Sequence, residues 1–256
     1  SLLMRTQDRR FISSLLILLA GLSMVAGGLR AQPASVPDPS VPAFLARNDR
    51  FGPMHESFLE RAKAGPVGLL FLGDSITAGW TKKAPDIWEK YFGAHQPANF
   101  GIGSDNTMGV LWRIEHGELD HIKPKVLVLL LGTNNTNMHT APQISAGLGA
   151  VVRRIRAKLP ETRILLLAIL PRGPRPDPGD VPDDSGRRME IIHAVNADLA
   201  KLADGRHVRF LDVGSLFLDA NGRIRDDLMP DRLHPNPAGY EVWAAAMKPV
   251  LDEMMR

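Results

Sequence analysis

Two uninterrupted apolar runs constrain the fold of this 256-residue chain more than any other feature of its sequence. Residues 126–131 and 164–170 consist only of aliphatic side chains, without the alternation that marks a strand with one wet face. A strand of this kind is covered on both faces, which is typical of a parallel sheet flanked by helices. The runs therefore predict an α/β fold with three layers, in which one helix layer covers each face of the sheet.

Strand-like and helix-like segments alternate along most of the remaining chain. Shorter apolar segments and amphipathic segments complete the predicted architecture, a five-stranded sheet in a single domain. The predicted strands are residues 67–72, 98–102, 126–131, 164–170 and 208–211. The first predicted helix is capped by Asp49 and runs to about residue 64. The other predicted helices are residues 85–92, 107–116, 142–159, 187–203 and 237–254. Residues 171–186, rich in Pro, Asp and Gly, predict a surface loop that helps to shape a pocket.

The first 31 residues have the composition of an export signal. Arg9 and Arg10 precede an apolar run at residues 11–26, and residues 29–31 offer a cleavage site. The run is short and contains serine and glycine, which favours a cleaved signal over a permanent transmembrane helix. We therefore expect a periplasmic or secreted protein with no stable membrane insertion after cleavage. The proline-rich residues 32–48 predict an extended linker, which leaves residues 49–256 as the folded domain.

Charge and cysteine content narrow the partner classes. The net charge of +3 is accounted for by the first 31 residues, which hold four arginines against one aspartate. The rest of the chain lacks the basic excess of a nucleic-acid-binding protein, so no nucleic acid partner is expected. The chain contains no cysteine, so an exported fold must be stable without disulfides.

A serine and a histidine stand where a hydrolase would need them. The first predicted strand runs into Gly73-Asp74-Ser75, which puts a hydroxyl at the carboxyl end of a buried strand, where open α/β sheets bind ligands. Near the C-terminus, Asp231 precedes His234 by three residues and can hold its ring so that Nε2 faces a nucleophile. These three residues are candidates for nucleophile, base and orienting acid. An ordinary polar loop is the alternative interpretation of His234.

Two further strand ends offer donors for an oxyanion. The turn at residues 99–105 contains Gly101 and Gly103 and leads into a helix, where backbone N–H groups are free. The turn at residues 132–135 carries Asn134, whose amide can point into the same crevice. Glycine and asparagine are also standard turn residues, so each turn taken alone has a simpler explanation.

Competing motifs are incomplete. A dinucleotide fingerprint that starts at Gly101 would need a glycine where Asn106 stands, and a Gly-x-Ser-x-Gly elbow would need one where Thr77 stands. No phosphate-binding Gly-Lys-Ser/Thr loop is present. A metal site built from Asp226, Asp227, Asp231 and His234 remains an alternative, but it lacks the ligand spacing of zinc sites.

Together these blocks resemble the four motif blocks of the SGNH hydrolases, the GDSL-type lipases and esterases. The resemblance runs from about residue 69 to the C-terminus and is strongest to the branch of platelet-activating-factor acetylhydrolase catalytic subunits and bacterial acetyl esterases. Segments that carry it are Asn99-Phe100-Gly101-Ile102-Gly103, Leu111-Trp112-Arg113, Ile122-Lys123-Pro124-Lys125 and Pro171-Arg172-Gly173.

The resemblance implies a flavodoxin-like α/β/α fold, no cofactor, no metal, and roles for individual residues. Ser75 would be the nucleophile and its N–H one oxyanion donor, His234 the base and Asp231 its partner. Asn134 would donate its amide to the oxyanion. Ser104 would donate its backbone N–H, although it stands where the family has a glycine; if that turn requires a positive φ, serine costs on the order of 1–2 kcal/mol. Residues expected to line the substrate pocket are Asp74, Gly103 and Arg172.

The implied activity is that of a secreted serine esterase acting on short-chain esters, with acetylated carbohydrates as the expected substrates. The expected partner is therefore a small-molecule or polysaccharide ester, and the sequence assigns no oligomeric state. Hydrolysis of short-chain lipid or phospholipid esters is the alternative activity. A third interpretation is a binding module that kept the fold and lost turnover. The serine at position 104, in place of the glycine of the family, is the feature that suggests it.

Overall fold

Five strands form one parallel sheet in the computed structural model, which describes residues 36–174 and 184–256. The strands are β1 (Leu69–Gly73), β2 (Pro97–Gly101), β3 (Val126–Leu130), β4 (Arg163–Leu167) and β5 (Val208–Leu211). Their order across the sheet is β2-β1-β3-β4-β5, with β1 at the point where the chain reverses its direction of strand addition. The predicted parallel α/β sheet is confirmed, and the four strands other than β5 differ from their predicted bounds by one to three residues.

Helices alternate with these strands. In the described residues they are α1 (Phe51–Lys63), α2 (Ser75–Lys83), α3 (Pro85–Phe92), α4 (Thr107–Glu115), α5 (Ala141–Lys158), α6 (Ser185–Ala200) and α7 (Pro237–Met254). The bounds of α3 and α7 are those predicted, whereas α2 is an additional helix that the sequence analysis did not predict. The predicted cap Asp49 is wrong, because α1 begins after Arg50 and no side chain caps it.

The alternation of side chains along each strand divides the core between the two faces of the sheet. Leu70 and Leu72 of β1 pack in one buried cluster with residues of α1, α4, α5 and α6, whereas Leu69 and Phe71 pack in a second cluster with residues of α2, α3 and α7. Both faces of the sheet are therefore covered, as the apolar runs predicted. The loops at the carboxyl ends of β1, β2 and β3 are therefore the places where polar side chains can lie.

The junction between β1 and α2 is shaped by one capping residue and one close approach. The carboxylate of Asp74 accepts a hydrogen bond from the Ile76 N–H at 2.9 Å, which starts the helix immediately after the strand. A Cβ at Gly101 would collide with the backbone of Ala78, so glycine lets α2 lie directly against β2. The result is that Ser75 occupies the first turn of a helix at the carboxyl edge of the sheet.

The segment before α1 packs against the domain. The Ala43 N–H donates to the Met108 carbonyl at 3.0 Å, and the Thr107 hydroxyl donates to the Pro39 carbonyl at 2.7 Å. Val36–Arg256 accordingly forms one compact unit. The predicted export signal, and the first residues of the predicted linker, lie outside the described residues. None of the helices described is long and apolar enough to cross a membrane.

Candidate active site

Ser75, His234 and Asp231 form a continuous chain of hydrogen bonds at the carboxyl edge of the sheet. The Ser75 hydroxyl lies 2.9 Å from His234 Nε2, and His234 Nδ1 lies 2.6 Å from Asp231 Oδ2. The tautomer with its proton on Nδ1 satisfies both contacts, since Nε2 then accepts from the hydroxyl. The structure thus brings together three residues that are separated by up to 159 positions in the chain.

The Asp231 carboxylate is held by the loop that carries it. Its Oδ1 accepts from the backbone N–H groups of Leu233 at 3.1 Å and His234 at 2.7 Å. Partial burial acts to raise the pKa of Asp231, but the hydrogen bonds from the backbone and ring of His234 outweigh it and lower that pKa below the ordinary value. The carboxylate therefore stays ionised near neutral pH and can stabilise a positively charged imidazole ring.

Contacts with two neighbouring segments fix the position of this loop. The Arg232 carbonyl accepts from the Gly173 N–H at 2.9 Å, which ties the loop to the segment after β4. Asn236 caps α7 through the Gly239 N–H at 3.0 Å, while its amide donates to the Asp227 carbonyl at 2.9 Å. His234 is thus anchored between two fixed ends of a short loop.

Three groups are candidates to stabilise an oxyanion, namely the backbone N–H groups of Ser75 and Ser104 and the side-chain amide of Asn134. The Ser75 N–H lies in the first turn of α2, where backbone N–H groups lack helical acceptors and the helix dipole favours negative charge. Asn134 begins a short 3₁₀ helix after β3, and its Nδ2 donates to the Asp105 carbonyl at 2.8 Å, which fixes the orientation of its amide beside the Ser104 turn. Their roles as donors remain predictions.

Ser104 has the left-handed conformation that the sequence analysis identified as costly. Its φ is +62°, in the region that favours glycine, and its side chain is exposed. The condition for a strain of about 1–2 kcal/mol is therefore met. Because the donor is a backbone N–H, serine can supply it as well as glycine can.

A residue that the sequence analysis missed, Asn48, holds the peptide that contains this N–H. Asn48 Nδ2 donates to the Gly103 carbonyl at 2.7 Å. The Gly103 carbonyl and the Ser104 N–H belong to one planar trans peptide and point in opposite directions. The hydrogen bond from Asn48 therefore restrains the direction of the Ser104 N–H. No local sequence signal connects two residues so far apart in the chain.

A fully buried ionic cluster supports the turn that contains Ser104 from the interior of the protein. The Arg113 guanidinium donates to Asp105 at 2.8 Å and to Glu118 at 2.6 Å, and Glu118 lies 3.3 Å from His55 Nδ1. Arg113 also donates to the Phe100 carbonyl at 3.2 Å. The available sequence signal was an arginine on the apolar face of α4, which calls for a buried partner.

Asp74 does not line a substrate pocket, so that prediction is corrected. Its side chain is 1% exposed and its Oδ1 caps α2, while Oδ2 has no hydrogen-bond partner among the residues that the structure describes. Burial raises the pKa of Asp74 to about 7. The side chain next to Ser75 in sequence therefore points into the protein.

The other two predicted pocket residues lie in different places. Gly103 lines a cleft of about 220 Å³ together with Ser75 and His234. Arg172 lines a separate cavity with Arg232, and its guanidinium donates to the Thr133 carbonyl at 3.2 Å. Arg172 therefore supports the turn that carries Asn134 and does not line the cleft beside Ser75. In the part of the chain described, no group of three His, Asp or Glu side chains is arranged to hold a metal.

The structure thus combines a parallel α/β sheet with a hydrogen-bonded serine, histidine and aspartate at the carboxyl ends of its strands. The sequence profile of the GDSL-like lipase/acylhydrolase family matches residues 71–242, and this range includes Ser75, Ser104, Asn134, Asp231 and His234. The chain belongs to this family, whose members are hydrolases of the esterase and lipase type. The predicted resemblance is confirmed.

Known relatives and solved structures agree with this assignment. The alpha1 subunit of platelet-activating factor acetylhydrolase IB from Bos taurus is 34% identical over 223 residues, which cover 87% of this chain and 90% of the relative. A GDSL-like lipase from Bacteroides thetaiotaomicron superposes with a TM-score of 0.62 at 19% identity, over 78% of this chain and 97% of that one. A carbohydrate acetylesterase from Sinorhizobium meliloti does so with a TM-score of 0.57 at 17% identity, over 73% and 98%. The two structures show the shared fold.

Proposed function

We propose that this protein is an exported serine esterase that removes acetyl or other short acyl groups from carbohydrates through an acyl-enzyme intermediate. The observation that carries the proposal is the hydrogen-bonded chain from the Ser75 hydroxyl through His234 to Asp231, with contacts of 2.9 and 2.6 Å. A hydroxyl in this arrangement can lose its proton to the imidazole as it attacks an ester.

The proposed mechanism gives each of these groups one role. His234 Nε2 takes the Ser75 proton while Oγ attacks the ester carbonyl, and Asp231 stabilises the imidazolium that forms. The N–H groups of Ser75 and Ser104 and the Asn134 amide stabilise the oxyanion. The imidazolium then protonates the departing alcohol, and a water molecule activated by His234 releases the acid from Ser75.

Two comparisons support the substrate class. The mammalian relatives are acetylhydrolases by name, which supports a short acyl group. A carbohydrate acetylesterase and an acetyl xylan esterase share the fold, which supports a carbohydrate as the alcohol half. The names of the mammalian relatives also favour a second candidate substrate, a short-chain ester of a lipid.

Export is part of the proposal. It is supported by the arginine pair and the apolar run at residues 11–26, which have the form of a signal peptide. Expression of the full chain in a Gram-negative host should yield a periplasmic protein whose N-terminus is residue 32. A mature protein that retains the leader in the cytoplasm would overturn this part alone.

Replacement of Ser75 or His234 by alanine tests the chemistry. Hydrolysis of p-nitrophenyl acetate should fall by roughly three orders of magnitude or more, since members of such a triad act as a unit. A fluorophosphonate probe should label the wild-type protein, and Ser75→Ala should abolish that labelling. Ser145→Ala, a serine on α5, is the matched control and should keep both activities. Folded protein that is not labelled, or a loss in either variant below about tenfold, rejects the assignment.

A substrate panel separates the two candidate alcohol halves. Acetylated xylan and acetylated amino sugars are compared with short-chain acyl lipids at equal ester concentration. We expect the highest kcat/KM among the carbohydrate esters. A clear preference for the lipid esters would favour the second candidate and leave the serine mechanism intact.

A further inference from the structure

The cleft beside Ser75 has a strongly positive wall. Its lining includes Ser75 and His234 together with Arg50, Lys82 and Lys83, and no aspartate or glutamate among the described residues. Lys82 and Lys83 lie two turns after Ser75 on α2, about 10 Å further along the helix axis. Long side chains on a helix point back toward its N-terminus, so both ammonium groups can extend toward the nucleophile.

These three cations are among those that form no ion pair within the described residues. Lys90 pairs with Glu241 at 2.7 Å, and Lys158 pairs with Asp120 at 2.6 Å. Within residues 36–174 and 184–256, no carboxylate forms an ion pair with a cation of the cleft. Like charges that share a cleft without compensation create a field that attracts an anion.

The position of Arg50 needs an explanation beyond helix stability. Lysines in the last turn of α2 are favoured by the helix dipole alone. Arg50 is at the opposite kind of site, the N-cap of α1, where the dipole disfavours a cation and the first turn contains no acidic residue. A bound anion in the cleft would compensate this charge as well as those of the two lysines.

We propose that this cleft is an anion-binding subsite, and that the preferred substrate is an acetylated carbohydrate whose alcohol half also carries a carboxylate or phosphate group. The inference rests on the proposed esterase function. An acetyl group is too small to reach from Ser75 to the far end of a cleft of about 220 Å³, so the charged group belongs to the alcohol half. Arg50, Lys82 and Lys83 bind that group and orient the ester carbonyl toward Ser75.

Three small esters with a common acetyl group test the subsite. They are 4-acetoxybenzoate, 4-acetoxyphenyl phosphate and the neutral 4-acetoxybenzamide, and kcat/KM is measured for each with the full-length protein. The readout is the kcat/KM of each anionic ester divided by the kcat/KM of the neutral ester. This ratio is compared between the wild-type protein and each variant, so that differences in leaving-group reactivity cancel. Comparison of the carboxylate and phosphate arms identifies which anion the subsite prefers.

The variants are Lys82→Gln, Lys83→Gln, Arg50→Gln and the triple substitution. Each single change should lower the anionic-to-neutral ratio about twofold, and the triple change about tenfold, as expected for exposed charge pairs. High salt should lower the wild-type ratio in the same direction. Lys123→Gln, which removes an exposed charge in the loop before β3 at the opposite edge of the sheet, is the matched control and should leave the ratio unchanged.

A wild-type protein that hydrolyses all three esters with a ratio insensitive to salt and to the triple substitution overturns the subsite and leaves the esterase intact. A folded protein that hydrolyses none of the three overturns the proposed function itself. Equal losses in Lys123→Gln and in the cleft variants would show a general effect of net charge, which also overturns the subsite.

Discussion

Ser104 shows how a residue that is unfavourable for the backbone can be held in place by its surroundings. Its φ of +62° places it where glycine carries no steric penalty, and residues with a Cβ are destabilised. The conformation is maintained by its surroundings, because Asn48 holds the preceding carbonyl at 2.7 Å and Asn134 holds the following one, that of Asp105, at 2.8 Å. A strained residue fixed on both sides is typical of a functional turn.

Ser104→Gly should relieve this strain. We expect the free energy of unfolding to rise by about 1 kcal/mol, because the steric gain exceeds the greater flexibility of glycine in the unfolded chain. Turnover of longer acyl esters should rise severalfold relative to acetate, since a Cβ and a hydroxyl leave the oxyanion turn. Denaturant unfolding and a p-nitrophenyl ester series measure the two effects. Ser104→Ala, which keeps the Cβ, is the control, and unchanged acyl preference in Ser104→Gly would reject the idea.

At the scale of secondary-structure elements, the hydrophobic pattern predicted the sheet. It missed a helix that depends on a local cap and on a distant side chain. Strands β3 and β4 were predictable because their continuous apolar runs have the length of a strand covered on both faces. Helix α2 was not, because Thr77 and Gly79 weaken the helical pattern and the helix depends on the Asp74 cap. Its tertiary support comes from the distant Tyr240, whose hydroxyl donates to the Ile76 carbonyl at 2.6 Å. Contacts of this range leave no periodic signal.

The segment before α1 has a part in the site that its composition did not reveal. Proline content predicted an extended spacer, whereas its hydrogen bonds tie it to α4 and to the Gly103 turn. We expect Asn48→Ala to lower kcat for p-nitrophenyl acetate about tenfold with little change in KM, because a misdirected donor weakens transition-state stabilisation without blocking binding.

Two further variants make this prediction specific. Asn48→Asp keeps the shape but cannot donate to the Gly103 carbonyl, so it should lose at least as much kcat as alanine. Ser40→Ala removes an exposed hydroxyl elsewhere in the same segment and should keep the wild-type kcat. A folded Asn48→Ala protein with full kcat would show that the hydrogen bond does not position the donor.

For the whole molecule, the proximity of Ser75, His234 and Asp231 was predictable, and the buried contacts around them were not. Ser75, His234 and Asp231 stand in short motifs whose residue types reveal the chemistry, and the parallel topology brings the strand ends together. The buried pairs of Arg113 with Asp105 and Glu118 connect a turn, a helix and the loop after it. A charged side chain in a sequence is normally exposed, so their burial becomes visible only in the packed structure.

We expect buried carboxyls near the site to make global stability depend on pH. Asp74 has its pKa raised from an ordinary 3.8 to about 7, mainly because its charged form is removed from water. Between pH 4 and 7 the unfolded chain loses this proton while the folded chain retains it, so folding stability falls as pH rises. At about 1.4 kcal/mol per pKa unit, the loss through Asp74 reaches about 4 kcal/mol by pH 7.

Asp74→Asn tests this origin. Urea unfolding at pH 4.5, 6 and 8 should show the variant gaining stability relative to the wild type as pH rises, because the amide has no proton to lose. Asp49→Asn, which alters an exposed carboxyl, should follow the wild-type profile. The amide of the variant places a hydrogen-bond donor where Oδ2 lacks a partner. This changes the free energy of unfolding of the variant by the same amount at every pH. The slope of its stability against pH therefore still shows whether the Asp74 carboxyl causes the pH dependence. Parallel profiles for Asp74→Asn and the wild type would assign the pH dependence to other buried carboxyls, of which Asp105, with its pKa raised to about 6 chiefly by burial, is the next to test.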